Sequence, residues 1–169
     1  MEQQQQEQFK IGEKVVYPSH GVGEVIGIEN QVFCGKELRV YVVSFPMDKM
    51  TLKVPVNSKS ASGLRAISYK TDTDKIYKIL CSQSQPGNRM WSRRAQEYEN
   101  KINSGDLCSI AEVVRDLYKN AEVDRSYSER TIYESAITRL ARELAILESV
   151  KYEEIIEKLT EILKNRNTV

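Results

Sequence analysis

The hydrophobic pattern of the chain changes near residue 69, and this change constrains the fold more than any other feature. From Phe9 to about Ile67, apolar residues stand in short runs that glycine and proline interrupt. Such runs, rich in β-branched and aromatic residues, are typical of strands. After Tyr69 the apolar residues recur every three or four positions, as they do in helices. We therefore predict an α+β protein in which a small β domain precedes an all-helical domain.

The β part contains five runs that predict strands. They are VVY at 15–17, EVIGIE at 24–29, ELRVYVVSF at 37–45, MTLKV at 50–54 and LRAI at 64–67. The sequence Cys34-Gly35-Lys36 between the second and third runs is typical of a hairpin tip. Five short strands in roughly sixty residues predict a small Tudor- or SH3-like β barrel.

The MTLKV run has a regular alternation that separates two faces. Met50, Leu52 and Val54 fall on one face, and Thr51 and Lys53 fall on the other. Two interpretations of Lys53 remain open. It is either a solvated outward residue, or it supplies a charge contact at an open sheet edge that a partner strand joins.

The helical part contains about five segments. Apolar stripes predict them near 72–81, 91–103, from 106 or 109 to about 117, 126–148 and 150–164. Asp72 is a candidate cap for the first segment. Gly105 suits the left-handed conformation that ends the second.

Two capping boxes are expected at helix starts, because Ser followed three residues later by Glu satisfies two backbone N–H groups. These are Ser109 with Glu112 and Ser126 with Glu129. For the third helix two starts are predicted, one at Asp106 and one at Ser109.

Composition limits the function. The net charge is +1, so any attraction to a polyanion must come from a local patch. No apolar run approaches the roughly 20 residues that span a bilayer. One histidine and three scattered cysteines without a C-x-x-C pair offer no catalytic set, metal site or disulfide frame. We expect a cytoplasmic protein with reduced thiols, no cofactor, no small-molecule substrate and no enzymatic activity. Residues 1–8 are glutamine-rich and are expected to be disordered.

The stretch NRMWSRR at 88–94 holds the only tryptophan, Trp91, among Arg89, Arg93 and Arg94. Counting along the helix aligns Trp91 with Ala95, Tyr98 and Ile102, which favours a core role. The first turn beside a polar loop, however, is where such a stripe often emerges into solvent. Arginines beside an apolar wedge can grip a DNA minor groove or stack on single strands. The residues alone leave both interpretations open.

Two separated segments resemble the CarD family (also called CdnL) of bacterial transcription regulators. The first is FKIGEKVVYPSHGVGEVIGIE at 9–29. The second is WSRR at 91–94, continued by KINSGD at 101–106 and AEVVRDLY at 111–118. The β part is shared with the polymerase-interacting domain of transcription-repair coupling factors. The helical part separates the CarD resemblance from that one.

The resemblance implies that residues 9–68 form a Tudor-like domain that docks on the β-subunit lobe of bacterial RNA polymerase by edge-strand pairing. Lys53 matches a polymerase-contact position that the family usually fills with arginine, and lysine loses the bidentate fork. Thr51, Leu52 and Gln31 complete the expected polymerase-binding set. At Gln31 some relatives carry a basic residue.

The resemblance also implies that residues 71–169 meet promoter DNA at the upstream edge of the transcription bubble. There Trp91 would wedge into the minor groove and help to keep the strands open. Arg93, Arg94 and Lys101 would hold the phosphate backbone, and Arg89 and Arg130 complete the expected set. Some relatives carry lysine where this chain has Gln96. The alternative function is a polymerase adaptor whose helical domain binds another protein instead of DNA.

Overall fold

The computed structural model describes residues 8–56, 63–68, 70–85, 87, 89–118 and 125–166. The chain divides into two compact units, Met1–Ile67 and Ser68–Val169. Of the predicted glutamine-rich tail, residues 1–7 lie outside the described residues. The Gln8 N–H donates a hydrogen bond of 2.7 Å to the Tyr41 hydroxyl.

The first unit is an antiparallel sheet, and the predicted α+β class is confirmed. Its strands are β1 (Lys14–Tyr17), β2 (Gly21–Phe33), β3 (Lys36–Phe45), β4 (Met50–Pro55) and β5 (Arg65–Ala66), in the order β4-β3-β2-β1-β5. Strand β2 is longer than the predicted run at both ends. The hairpin tip lies where it was predicted, with Cys34 at φ 50° and Gly35 at φ 76°.

The sheet is open in the part of the chain that the structure describes. Strand β4 pairs only with β3, and β5 pairs only with β1. A barrel needs its first and last strands in the sheet order to pair with each other. Here β5 has only two residues, too short a strand to seal a barrel. The predicted barrel is therefore supported only as a five-stranded sheet.

A cluster of buried apolar side chains stabilises the sheet. Its members are Phe9, Val15, Val25, Tyr41, Val43, Phe45 and Val54, all nearly inaccessible to solvent. The Phe9 and Tyr41 rings meet edge to face with their centroids 5.7 Å apart. Packing of this density leaves little room for added atoms. Gly23 on β2 is a position where even one added methyl group would clash with the cluster.

Gly23→Ala is expected to destabilise the first unit by about 1–3 kcal/mol, because buried side chains cannot move aside without strain. A Cβ at Gly23 would lie 2.7 Å from Phe45 Cε1 and 2.8 Å from Val43 Cγ1. Gly27→Ala is the matched control on the same strand, since its Cβ would meet Val42 at an ordinary 3.8 Å. Amide hydrogen exchange of β2 and β3 would measure the loss. Equal exchange rates in the two variants would contradict the prediction.

The second unit contains five helices in the described residues, as predicted. They are α1 (Lys70–Cys81), α2 (Trp91–Asn103), α3 (Leu107–Leu117), α4 (Tyr127–Glu148) and α5 (Tyr152–Arg166). Their apolar stripes meet in a core whose most buried members include Ile76, Leu80, Leu117, Leu140, Leu144, Ile155, Leu159 and Leu163.

Caps account for several of the helix boundaries. The Ser126–Glu129 capping box forms with both of its hydrogen bonds, and Gly105 takes a left-handed φ of 73° after α2, as predicted. Of the two predicted starts of the third helix, the one at Asp106 is confirmed, and the Ser109–Glu112 box is wrong. Asp106 caps α3 instead, accepting a 2.8 Å hydrogen bond from the Ser109 N–H, so Ser109 already lies inside the first turn.

Two predicted helix starts are shifted. Helix α1 begins at Lys70, so Asp72 lies within its first turn, 3.5 Å from the Lys75 ammonium group, and is not the cap. Helix α5 begins two residues later than predicted. Ser149 takes a left-handed φ of 56°, and the Val150 N–H still bonds to the Ala145 carbonyl of α4.

Within the described ranges, no helix is both long enough and apolar enough to pass through a bilayer. The same ranges contain no group of three or more His, Cys, Asp or Glu side chains that could hold a metal ion. Cys34, Cys81 and Cys108 are free thiols.

Candidate nucleic-acid and protein-docking sites

Trp91 is the first residue of α2 and is half-buried. Tyr98 and Ile102, which follow on the same stripe, are buried at 4% exposure each. Met90 precedes Trp91 and is 75% exposed. The stripe therefore emerges from the core at Trp91, whose side chain is partly packed and partly exposed.

Arg94 lies against the aromatic rings of this stripe. Its guanidinium carbon is 5.4 Å from the Trp91 ring centroid and 5.9 Å from the Tyr98 ring centroid. The two rings are 6.4 Å apart and inclined at 50°. Three side chains spaced three and four residues apart thus form one contact cluster on one face of α2. We call Trp91, Arg94 and Tyr98 the aromatic–arginine stack.

The other predicted DNA-contacting cations fall into two groups. Arg89 is 3.0 Å from the Glu97 carboxylate and Lys101 is 2.7 Å from the Glu112 carboxylate, so each already has an anionic partner. Arg93 and Arg130 are exposed, and their side chains form no ion pair with any residue that the structure describes. Of these four cations, Arg93 and Arg130 are thus the two without an anionic partner among the described residues.

Arg93 and Arg130 lie on two helices that pack against each other. The α2–α4 contact includes a hydrogen bond of 3.2 Å from Arg139 Nη1 on α4 to the Ile102 carbonyl on α2. Arg130 lies in the first turn of α4, where its backbone N–H bonds to the Ser126 carbonyl. The capping box thus fixes the backbone that carries Arg130.

The loop that leads to Trp91 is anchored by Asp116, a residue that sequence reasoning missed. Its carboxylate accepts hydrogen bonds of 3.0 Å from the Gln85 N–H and 2.8 Å from Arg115 Nε. The Asp116 carbonyl also accepts from the Ser84 hydroxyl. Ser84 and Gln85 are 32 and 31 positions from Asp116 in the sequence, and a pattern of local periodicity carries no signal for such a pairing.

Arg166 ties the same loop to the last helix. Its guanidinium donates to the carbonyls of Ser82 and Arg115, at 3.3 and 3.0 Å, where α1 and α3 end. Burial and the nearby Arg115 charge lower the pKa of Arg166, while Asp116 opposes them. A cation at two helix C-termini is favourable, because the exposed carbonyls there carry partial negative charge. The chain just before NRMWSRR is therefore held by three helices.

In the first unit, β4 has no partner strand on its outer side among the described residues. The Val56 N–H donates 2.9 Å to the Arg39 carbonyl of β3. In an antiparallel pair, alternate residues point both backbone polar groups to the same side. The backbone groups of Leu52 and Val54 therefore face β3, and those of Thr51 and Lys53 point outward.

Pro55 occupies the next outward position on β4. A proline has no N–H to donate, so it is tolerated on the open side of an edge strand. The part of this edge that can pair with another strand is thus limited to Thr51 and Lys53.

The side chains of β4 alternate as predicted. Val54 is buried and Leu52 half-buried, whereas Thr51 and Lys53 are exposed. Lys53 Nζ lies 3.0 Å from Glu29 Oε2 on β2, so this ion pair crosses over β3. Three predicted docking residues are contiguous on β4, and the fourth, Gln31, is half-buried on β2 opposite Leu38.

Comparison with known proteins agrees with a β unit that is followed along the chain by a helical unit. Residues 9–68 match the model of the CarD-like/TRCF RID domain, and residues 75–160 match that of the CarD C-terminal domain. The chain is also 28% identical over 148 residues to a Bacillus subtilis (strain 168) protein named "Putative transcription factor YdeB". That similarity covers 87% of this chain and 97% of the relative. The two family models cover the β unit and most of the helical unit, and we conclude that the chain belongs to the CarD family.

Proposed function

We propose that this protein regulates bacterial transcription by docking on RNA polymerase through β4 and stabilising the open promoter complex with Trp91. The observation that carries the proposal is the position of Trp91. It emerges from a buried stripe at the start of α2, next to an exposed arginine, Arg93, without an ion-pair partner in the described part of the chain.

The docking step uses the open edge of β4. A strand of the polymerase β-subunit lobe adds to the sheet and bonds to the outward backbone groups of Thr51 and Lys53. The Lys53 ammonium group supplies a charge contact to a carboxylate of the partner. Its present partner, Glu29, is half-exposed, and such a pair contributes little stability, so Lys53 can exchange it readily.

The DNA step uses Trp91 as a wedge in the minor groove at the upstream edge of the bubble. An apolar ring inserted at a base step disrupts the stacking of the duplex and favours separated strands. Arg93 and Arg130 hold phosphates. Arg89 and Lys101 contribute only when they leave Glu97 and Glu112, which makes them weaker contacts.

The small net charge of +1 suits a protein that the polymerase delivers to the promoter. Docking raises the effective concentration of the helical unit near the DNA, so that little intrinsic DNA affinity is needed. We therefore expect weak binding to duplex DNA in the absence of polymerase. Such a regulator acts in the bacterial cytoplasm and needs no cofactor.

Footprinting of a promoter with polymerase, in the presence and absence of the protein, tests the proposal. We expect altered protection at the upstream edge of the bubble. A footprint that the protein leaves unchanged, although it co-elutes with the polymerase, would favour the adaptor function. In that case the helical unit would bind another protein.

A further inference from the structure

The aromatic–arginine stack gives Arg94 an environment that differs from that of its neighbour Arg93. Arg93 is exposed and Arg94 is half-buried. The Arg94 guanidinium lies 5.4 and 5.9 Å from the centroids of two rings, within the range of a favourable cation–π contact. Two adjacent arginines of one motif thus have different surroundings.

The polar atoms of the stack also show that Arg94 is packed against its neighbours, whereas Arg93 is exposed. Arg94 Nε and the Tyr98 hydroxyl are buried and have no hydrogen-bond partner among the described residues. Hydrogen bonds therefore do not fix the plane of this part of the guanidinium. The Arg94 side chain instead packs over both rings, with its guanidinium carbon 5.4 Å from the Trp91 centroid and 5.9 Å from the Tyr98 centroid, and a flat guanidinium packs well on an aromatic face.

The indole of Trp91 needs such a contact. It stands at the first turn of α2, where the N-cap Met90 makes no side-chain capping hydrogen bond. A half-buried side chain at a helix start has several rotamers open to it. A wedge acts only when its ring is already oriented toward the groove, because ordering a free side chain opposes binding.

We propose that Arg94 is a positioning residue, which holds the Trp91 indole in its wedge orientation against Tyr98 instead of binding a DNA phosphate. This inference rests on the proposed function of Trp91. It differs from the phosphate contact expected for Arg94 from the sequence. The phosphate role remains with Arg93 and Arg130.

Arg94→Lys tests the inference, since lysine keeps the charge and loses the planar group that stacks. We expect the open-complex lifetime to fall by up to about fivefold, the value for complete loss of an exposed cation–π contact, because lysine keeps the charge but not the flat group that packs on the rings. In the Trp91→Ala background the same substitution should have no further effect, because Arg94 acts through the indole. A double-mutant cycle of this kind isolates the coupling between the two side chains.

Arg93→Ala provides the contrast. As a phosphate contact it should shorten the lifetime by the same factor in both backgrounds, and should lower the salt dependence of binding by about one unit of slope. If Arg94→Lys behaves as Arg93→Ala does, or leaves the lifetime at the wild-type value, the positioning role is overturned.

Fluorescence of the free protein gives a readout that needs neither polymerase nor DNA. Trp91 is the sole tryptophan, so its emission reports only this site. Arg94→Lys is expected to increase acrylamide quenching of Trp91, because one face of the indole is uncovered, whereas Arg93→Ala should not. Unchanged quenching in Arg94→Lys would overturn the inference. Two results together would separate the two proposals. If Trp91→Ala left the open-complex lifetime unchanged while Arg94→Lys increased the quenching of Trp91, the wedge function would be wrong and the contact between Arg94 and Trp91 would still hold.

Discussion

Replacing Trp91 by alanine is expected to shorten the lifetime of the open promoter complex about five- to thirtyfold, equivalent to about 1–2 kcal/mol. The lost interaction is the insertion of the ring at a base step. Binding to the polymerase should not change, because β4 belongs to the other compact unit. A lifetime assay with a competitor, at one fixed salt concentration, measures the effect.

Thermal unfolding of the same variant separates a wedge from a core residue. Trp91 is half-buried, whereas Tyr98 and Ile102 carry the buried part of the stripe. We therefore expect Trp91→Ala to lower the melting temperature less than Ile102→Ala, which removes a fully packed side chain. A wild-type lifetime together with a large drop in melting temperature would make Trp91 a core residue only.

Lys53→Glu is expected to abolish capture of the protein by the polymerase β lobe. The substitution reverses the charge at one of the two outward residues of the open edge. It also places the new carboxylate beside Glu29, which lies 3.0 Å from the present ammonium group, and like charges at this separation repel. A pull-down with the isolated lobe measures the loss.

Lys10→Glu is the matched control, because Lys10 is equally charged, exposed and outside β4. It should leave capture intact. Thr51→Pro tests the contribution of the backbone hydrogen bonds without changing the charge. It removes an outward N–H and leaves the β3–β4 hydrogen bonds in place. We expect weaker capture by Thr51→Pro as well. Undiminished capture by both Lys53→Glu and Thr51→Pro would exclude β4 as the docking edge.

Much of the fold could be predicted because its signals are local. The MTLKV alternation, the Ser126–Glu129 capping box and Gly105 each depend on a few adjacent residues, and all three have their predicted structures. The Ser109–Glu112 box fits the same pattern and does not form. The Ser109 N–H donates to the Asp106 carboxylate instead. Aspartate caps a helix as well as serine does, so the helix is capped three residues earlier, at Asp106.

The candidate site was less accessible to sequence reasoning, because its chemistry depends on contacts between side chains. The motif WSRR gives Arg93 and Arg94 the same residue type. Only the structure distinguishes the exposed arginine, Arg93, from Arg94, which packs over the rings of Trp91 and Tyr98. Pairing across long stretches, as between Asp116 and Gln85, depends on how the helices pack and leaves no trace in a local pattern.

The shortness of the β4 edge also bears on the behaviour of the protein at high concentration. A long unpaired strand invites self-association and fibrillar aggregation. Here Pro55 ends the open edge after two outward residues, and one of these is a lysine. Two copies aligned edge to edge would form few hydrogen bonds and would bring two ammonium groups to one seam. The edge therefore disfavours pairing with a second copy of itself.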